Sequence, residues 1–517
     1  MRRSIYKAKQ RRLVHSSVVN SRPCSADVRI AVKAHHAEAP SKTVIDALPI
    51  VVDLDGTLVL TDSLYEQVAV AIFSKPLRLF QRLPELLHGR AALKAALAQD
   101  VALSFETLPL SEELVEWLRG EAAKGREVHL CSAANQLVVD TVARHLGFFT
   151  TAIGSDKINL KGQAKADHLA ERFPEGFVYV GDSRADLVVW KVARGIVFVN
   201  ASSSVMQAAR AFNKPVEAEF ATSPLTMHDT LKALRVHHWS KNALIFVPFI
   251  LGHAWVDGAL FVRTLLGLIC LLMATSSAYL INDIADLDAD RRHWSKRHRA
   301  LASGRLPIFA GFAIAAMLLV ASLVGALFLL SSFALALGGY LLLTFSYSFG
   351  LKRVPLVDTL IIGSLFTSRL IMGIALANQT YSEWLLTFSM FFFFSLAMAK
   401  RHTEIARAAA TGISDSITSR GYQIEDAPLT LVLGVSCSIA SLLIMVLFIV
   451  EEVGRRGAYA HPGVLWAIPI VLALWVSRIW LLAHRGQMKD DPVSFALRDK
   501  VSLVLGVATA AIFVIAL

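Results

Sequence analysis

The chain has 517 residues, 55% of them hydrophobic and 18% charged, with a mean hydropathy of +0.51. Soluble domains run at about half apolar and about a quarter charged, so this excess excludes an ordinary soluble protein and predicts one soluble body followed by one in lipid. The net charge of +11 suits anionic partners such as phospholipid headgroups or phosphorylated substrates, and without an aromatic-interleaved basic patch it does not point to nucleic acid.

In chain order, MRRSIYKAKQRRLVHSSVV is basic and lacks the apolar core of a signal peptide, so residues 1–45 read as a disordered cytoplasmic tail. From Leu48 the pattern changes. ALPIVVDLDGTLVLTDS is rich in Val and Ile and ends in a carboxylate–Gly–Thr turn, which predicts a buried strand and a loop. Similar runs at EVHLCSA (127–133) and FVYVGDS (177–183), with helical stretches between, predict a parallel α/β sheet over 46–215. Residues 66–120 interrupt the first crossover as a helical cap, whose SKPLRLFQRLPELL stretch reads as a plain cap helix or as a segment resting on the membrane.

A linker and interface segment covers 216–240. Nine apolar runs then fill 241–517, at about 243–257, 259–281, 307–329, 333–350, 356–377, 384–399, 429–450, 464–483 and 500–517. Loops at 282–306, 351–355, 400–427 and 484–500 are rich in Lys and Arg, whereas the opposite loops hold Arg455 and Arg456. That asymmetry predicts cytoplasmic loops and N-terminal domain, and a C-terminus outside. Cys24, Cys131, Cys270 and Cys437 are scattered and support neither a disulfide framework nor a zinc site.

Asp53 and Asp55 lie two apart at a strand's carboxyl end, where α/β sheets bind ligands, and face the same way. One can attack phosphorus while the other handles the leaving-group proton. Ser132 ends the second strand, Lys161 lies in NLKGQAKADHL, and Asp182 and Asp186 lie in GDSRAD. A hydroxyl and a cation hold phosphate, and further carboxylates hold a divalent metal. With these motifs in order, residues 45–215 resemble the haloacid dehalogenase-like phosphatases. The resemblance implies Asp53 as nucleophile and Asp55 as general acid/base. Ser132 and Lys161 would bind phosphate, with Lys165 the alternative lysine. Mg²⁺ would rest on Asp53, the Asp55 carbonyl and Asp182, with Asp186 in support. The competing reading is a decayed domain kept as a scaffold.

INDIADLDADRRHWSKRHRALASG (281–304) separates two spans. On a helix, Asp283, Asp286 and Asp290 fall at i, i+3 and i+7, Asn282 shares their side, and Asp288 points away. Acids stacked on one face repel, more strongly at low dielectric, and Mg²⁺ with a substrate phosphate relieves the conflict. Lys296, Arg297 and Arg299 supply donors to phosphate oxygens. A positive-inside loop with solvated acids would explain the arginines but not the acid spacing. AMAKRHTEIARAAA adds Lys400 and Arg401 for a second phosphate, or simply a Lys400–Glu404 helix pair. LRVHHWSKN (234–242) adds Arg235, Trp239, Lys241 and Asn242, or interface anchors only. Asp358 and Arg369 share a face within a span, where ionisable groups mark a cavity or a partner.

The acid-rich stretch resembles the first aspartate-rich motif of the UbiA superfamily of intramembrane prenyltransferases, and nine spans suit that fold over about 225–517. Ala300 stands where a proline commonly precedes LASG. KRHTE replaces the usual second aspartate-rich motif; with RVHHWSKN, YSFGLKRVPLVD and DDPVSFALRDK (490–500) it is similar to the decaprenyl-phosphate phosphoribosyltransferase branch, although RVHHW departs from the usual RPxQW. The expected fold is two-part: an N-terminal α/β Rossmann-like haloacid dehalogenase fold with a helical cap, then an all-α nine-transmembrane-helix UbiA-type bundle in the inner (plasma) membrane.

The resemblance implies Mg²⁺ on Asn282, Asp283, Asp286 and Asp290, and phosphate binding by Lys296, Arg297, Arg299, Lys400, Arg401 and Lys241. The donor would be phosphoribosyl diphosphate and the acceptor a polyprenyl phosphate, with the phosphatase acting on the product. Two other readings stand beside it: transfer of an isoprenyl group from its diphosphate to an aromatic or other hydrophobic acceptor, and a transporter or scaffold with a regulatory phosphatase. Monomer and oligomer are both left open.

Overall fold

The computed structural model describes residues 47–517 apart from 102, 156–158, 379–381, 413–419, 454–458 and 489–491. The expected tail, and Asp490 and Asp491 of the last motif, lie outside the described residues. A six-stranded sheet has the order β3-β2-β1-β4-β5-β6, with β1 Ile50–Val52, β2 Val128–Asn135, β3 Thr151–Ser155, β4 Val178–Gly181, β5 Gly195–Val199 and β6 Val216–Phe220. All pairings are parallel. Parallel sheets are covered on both faces, and β1, β4 and β5 are buried throughout. One face packs Leu54, Leu114 and Val139; the other packs Phe177, Trp190 and Phe198. Ile50 stands opposite Val128 and Val178, so central β1 delivers Asp53 to the middle of the carboxyl edge.

β6 carries the domain past the expected limit at residue 215. VEAEF alternates acids with apolar residues and pairs on one side with β5, so in sequence it passes for a polar linker. Between β1 and β2 stand the helices Ser63–Ser74, Pro76–Arg82 and Arg90–Asp100, with 3-10 turns at Leu83–His88 and Phe105–Thr107. The next helix, Glu112–Ala123, belongs to the sheet layer, because Leu114 and Leu118 are fully buried in its core.

Among the described residues, seven helices are long and apolar enough to cross a membrane: Gly258–Ala285, Ile308–Leu329, Ser331–Phe349, Val357–Ala377, Glu383–Ala410, Ile424–Glu451 and Pro462–His484. The two outermost of the nine expected runs are shorter. Residues 243–257 break into a 3-10 stretch Val236–Phe246, a short helix Val247–Leu251 and a 3-10 turn Ala254–Val256. Pro248 lacks an N–H, and His253 turns left-handed at φ 54°. This broken segment nests on Val357–Ala377, where a methyl group on Gly373 would overlap the Ile245 carbonyl. The last run, Lys500–Ala516, has 17 residues, about 25 Å of helix against about 30 Å of hydrocarbon.

The sheet domain and the helical bundle meet through Ser63–Ser74. Ala69 is buried with Leu280, Ile284, Leu287 and Leu301. Tyr65 meets Phe309 at 5.4 Å between ring centroids, and Phe73 meets Phe312 and Phe349 at 6.5 and 5.6 Å. Within this contact Arg291 donates a forked pair of hydrogen bonds to Glu66, at 3.0 and 2.6 Å. Thr61 Oγ1 also donates to Glu66, at 2.8 Å. Thr107 donates to Asp288 at 2.7 Å, and Arg292 to Ser104 Oγ at 3.4 Å. Asp288, Arg291 and Arg292 of the acid-rich stretch therefore serve domain docking.

Candidate active sites

The first site lies at the carboxyl edge of the sheet. β1 lies between β2 and β4. Asp53 and Asp182 follow the last residues of β1 and β4, whereas Ser132, expected to end the second strand, lies within β2, which runs on to Asn135. Asp53 Oδ1 accepts from the Leu54 amide at 2.7 Å and lies 3.0 Å from Lys165 Nζ. Lys165 donates to Tyr179 OH, which donates to Asp186 Oδ1 at 2.8 Å. Asp186 Oδ2 accepts from the Ser183 amide and hydroxyl at 3.0 and 2.8 Å. Oxygens of Asp53, Asp182 and Asp186 lie within 4.8 Å of one another. Gly56, at φ 80°, lets the turn pass against Asp182, whose carboxylate a side chain there would strike. Thr57 Oγ1 donates to Asp182 at 3.2 Å. Ser132 is buried, with its hydroxyl accepting from the Ala134 amide at 3.1 Å.

Burial dominates the electrostatics here. It raises the Asp53 carboxyl, with Lys165 opposing and Asp186 adding to the rise. Burial and then Asp62 push Asp55 up to about 7; its Oδ1 accepts from the Ser63 amide at 2.9 Å. Burial, then Asp186 and Asp53, push Asp182 up to about 8. The converging oxygens of Asp53, Asp182 and Asp186 form a hard-oxygen donor set of the kind that suits a divalent cation.

The lysine in this site is Lys165. Lys161 is exposed and precedes Gly162, whose φ of 60° starts the helix Gln163–Arg172. Lys165 and Leu169 share the buried side of that helix at i, i+4 spacing. A lysine on an apolar stripe was the available signal.

The second site is a cavity of about 460 Å³ among the membrane helices. Asn282 and Asp286 reach it from the end of Gly258–Ala285, where the helix stops and a new short helix, Leu287–Arg292, begins. Asn282 Nδ2 donates to Asp286 Oδ2 at 3.1 Å, and Lys352 Nζ lies 3.0 Å from both Asp286 oxygens. Asp283 pairs with Arg235 at 2.7 Å and with Arg299 at 3.0 Å. Asp290 pairs with Arg299 at 2.5 Å and Lys296 at 3.4 Å; burial raises its carboxyl, and both cations oppose that rise. The expected four-ligand set is thus divided: Asn282 and Asp286 line the cavity, while Asp283 and Asp290 lie behind it in ion pairs.

Two expected phosphate donors lie elsewhere. Arg297 is exposed and bonds His298. Arg401 is buried and donates to Asp358 at 2.6 Å, where Tyr422 OH also donates at 2.7 Å. Asp358 and Arg369 accordingly take different partners, because Arg369 donates to Asn242 Oδ1 at 2.8 Å and to Tyr340 OH at 3.2 Å. Lys241, Lys296, Arg299 and Lys400 line the cavity, joined by Arg235, Lys352, Arg369 and Arg420. Among the described residues lining it, Asp286 is the sole carboxylate. Ile362, Leu365, Phe366, Phe393 and Leu396 give it an apolar flank. Lys352 stands in the quoted YSFGLKRVPLVD, and only its pairing with Asp286 marks its place.

A chain with this bundle and this sheet combines a membrane transferase body with a hydrolase-type domain. The UbiA prenyltransferase family model matches residues 243–513, and that for haloacid dehalogenase-like hydrolases matches 50–189. The chain belongs to the UbiA prenyltransferase family and carries a haloacid dehalogenase-like domain at its N-terminal side. It is 42% identical over 471 residues to protein y4nM of Sinorhizobium fredii, covering 91% of each chain. It is 32% identical over 285 residues to the nodulation protein NoeC of Azorhizobium caulinodans, covering 54% of this chain and 92% of that one. It is 28% identical over 282 residues to the decaprenyl-phosphate phosphoribosyltransferase of Mycobacterium tuberculosis, covering 54% of this chain and 90% of that one.

Proposed function

We propose that the membrane domain transfers 5-phosphoribose from phosphoribosyl diphosphate to a polyprenyl phosphate, and that the N-terminal domain removes the 5-phosphate from the product. The observation that carries this reading is the charge of the cavity wall, where eight cationic side chains and Asp286 line the space. The two carboxylates behind it, Asp283 and Asp290, pair with Arg235, Arg299 and Lys296 and leave a cationic excess. A phosphorylated donor with a phosphorylated acceptor brings more negative charge than an isoprenyl diphosphate with an uncharged acceptor, and so suits a cationic wall better. Likeness to a decaprenyl-phosphate phosphoribosyltransferase supports the same choice.

In this mechanism Lys352, Lys296 and Arg299 donate to the diphosphate of the donor, next to Asn282 and Asp286. The C1–O bond to diphosphate breaks and its electron pair leaves with the diphosphate, while an acceptor phosphate oxygen forms the new C1–O bond. Lys400, Arg420 and Lys241 hold the acceptor headgroup, and the apolar flank takes the start of its chain. In the second site Asp53 attacks phosphorus while Lys165 and Ser132 hold the phosphoryl oxygens and Asp55, carrying a proton near neutral pH, protonates the leaving oxygen. Water then attacks the phosphoryl group on Asp53, giving its proton to Asp55, and the Asp53 O–P bond breaks to release phosphate. Mg²⁺ held by Asn282 and Asp286 in one site, and by Asp53, Asp182 and Asp186 in the other, would neutralise phosphate charge as it shifts. We place both sites on the cytoplasmic face of the plasma membrane, from the cationic loops.

The test is a product assay on the full chain in detergent with Mg²⁺. It uses labelled phosphoribosyl diphosphate with polyprenyl phosphate and, separately, a labelled isoprenyl diphosphate with an aromatic acid. A lipid-soluble ribose that keeps its phosphate only in Asp53→Asn supports both steps. Transfer of the isoprenyl group, with no ribose product, would return the chain to ordinary prenyl transfer.

A further inference from the structure

The insertion between β1 and β2 carries an apolar stripe on its outer side. The helix Pro76–Arg82 runs on into the 3-10 turn Leu83–His88. Its inner side is conventional, with Leu79 packed against the cluster of Ala71, Leu93, Leu97 and Val101. On the outer side Leu77, Phe80, Leu83 and Leu87 are 79%, 76%, 43% and 89% exposed. Their spacing of three, three and four residues keeps them to one side of the segment, and none belongs to an apolar cluster of the described residues. Such a contiguous patch marks a surface made to meet something apolar.

Its place in the fold says what that is. Three residues before the helix, Phe73 packs on Phe349, the last residue of Ser331–Phe349, and on Phe312, in the second turn of Ile308–Leu329. Both contacts lie at one end of the bundle, so the stripe starts at most about 14 Å of chain from a side chain that touches the ends of two spans. Around those ends Phe309 and Leu351 are exposed as well. Lys75, Arg78 and Arg82 flank the stripe; Lys75 donates to the Asp100 carbonyl and both arginines pair with the Asp100 carboxylate, and the Arg78 side chain stays 61% exposed. A short apolar face that starts near the ends of two spans, with the exposed Arg78 alongside, has the composition of an interfacial segment.

We infer that the Leu77–Leu87 surface rests in the headgroup layer of the same bilayer that the spans cross, holding the phosphatase-type site over phosphate groups borne on lipid. The occupant is lipid because the stripe continues from Phe73, whose contacts lie at the ends of two membrane-length apolar helices. This inference does not rest on which group the membrane site transfers.

The test uses the full chain in liposomes of phosphatidylethanolamine and phosphatidylglycerol, with Cys24 and Cys437 replaced by serine. A fluorophore is attached at Phe80→Cys or Leu87→Cys, with Glu175→Cys as the exposed comparison. Labels at 80 and 87 should be quenched several-fold more by nitroxide-bearing lipid than the label at 175, and shielded from aqueous iodide. Iodide quenching equal to that at 175 overturns the inference. So does shielding from both quenchers together with cross-linking between chains at position 80, which would assign the surface to a second copy.

Discussion

Replacing Arg291 with methionine should undock the two halves of the protein. Arg291 and Glu66 side chains are 6% and 3% exposed and meet through a forked pair at 3.0 and 2.6 Å. Removing one partner of a buried pair leaves a charge without compensation, at about 3–5 kcal/mol. Glu66 would keep its bond from Thr61, which argues for the lower end, about 3 kcal/mol, or about two orders of magnitude in the docking equilibrium. Glu66→Met alone should cost a similar amount. The double variant should cost far less than the sum, because Ala69, Leu287 and Leu301 nearby offer apolar packing to two methionines. Hydrogen exchange of the Ser63–Ser74 amides reads this directly, as faster exchange in each single variant and recovery in the double. Ser63 lies on the same helix and its amide holds Asp55, so turnover of a soluble phosphate ester should fall with docking. Single substitutions that change exchange less than about fivefold, or costs that add in the double, would refute the argument.

Lys352 makes charged hydrogen bonds of about 1.5–3 kcal/mol, so Lys352→Met should lower transfer about tenfold to a hundredfold, and Asp286→Asn at least as much, measured as lipid-soluble product. Lys400→Met should raise the KM of a phosphorylated substrate, whereas Arg401→Met should destabilise the bundle by about 3–5 kcal/mol, because Asp358 is fully buried opposite it. In chelator the thermal midpoint should fall from pH 5 to pH 8. Asp53 is raised, Asp55 titrates at about 7 and Asp182 at about 8, so the folded state holds protons that the unfolded chain releases near about 4. Their contribution is full below that value and is lost as pH climbs through about 8; added Mg²⁺ should restore most at the alkaline end. A midpoint that stays flat or rises without metal would contradict this.

Local chemistry made much of both sites legible. DLDGT and GDSRAD each hold strand, turn and carboxylates within a few residues, and the sheet only has to align their ends. Lys165 was harder, because choosing it over Lys161 depends on where the helix begins. The extent of the sheet was harder still: β6 is a polar edge strand that only pairing with β5 reveals. The first apolar run reads as a span by composition, yet Pro248 and the left-handed His253 break it.

By itself the sequence determined the two-part architecture, the carboxylates at the strand ends and the acid-rich boundary between two spans. Hydrophobic period, strand–turn patterning and charge are local properties of a chain, and they survive without coordinates. The tertiary structure decided which neighbour faces which partner. Lys400 and Arg401 are adjacent in sequence but about 100° apart around a helix, so one lines the cavity and the other holds Asp358. The helix break at Asp286 likewise divides one acid-rich stretch between the cavity, the ion pairs behind it and the docking surface for the sheet domain. Those assignments depend on elements far apart in the chain, such as Glu66, Lys352 and Asp358, and on the burial that makes their pairing necessary.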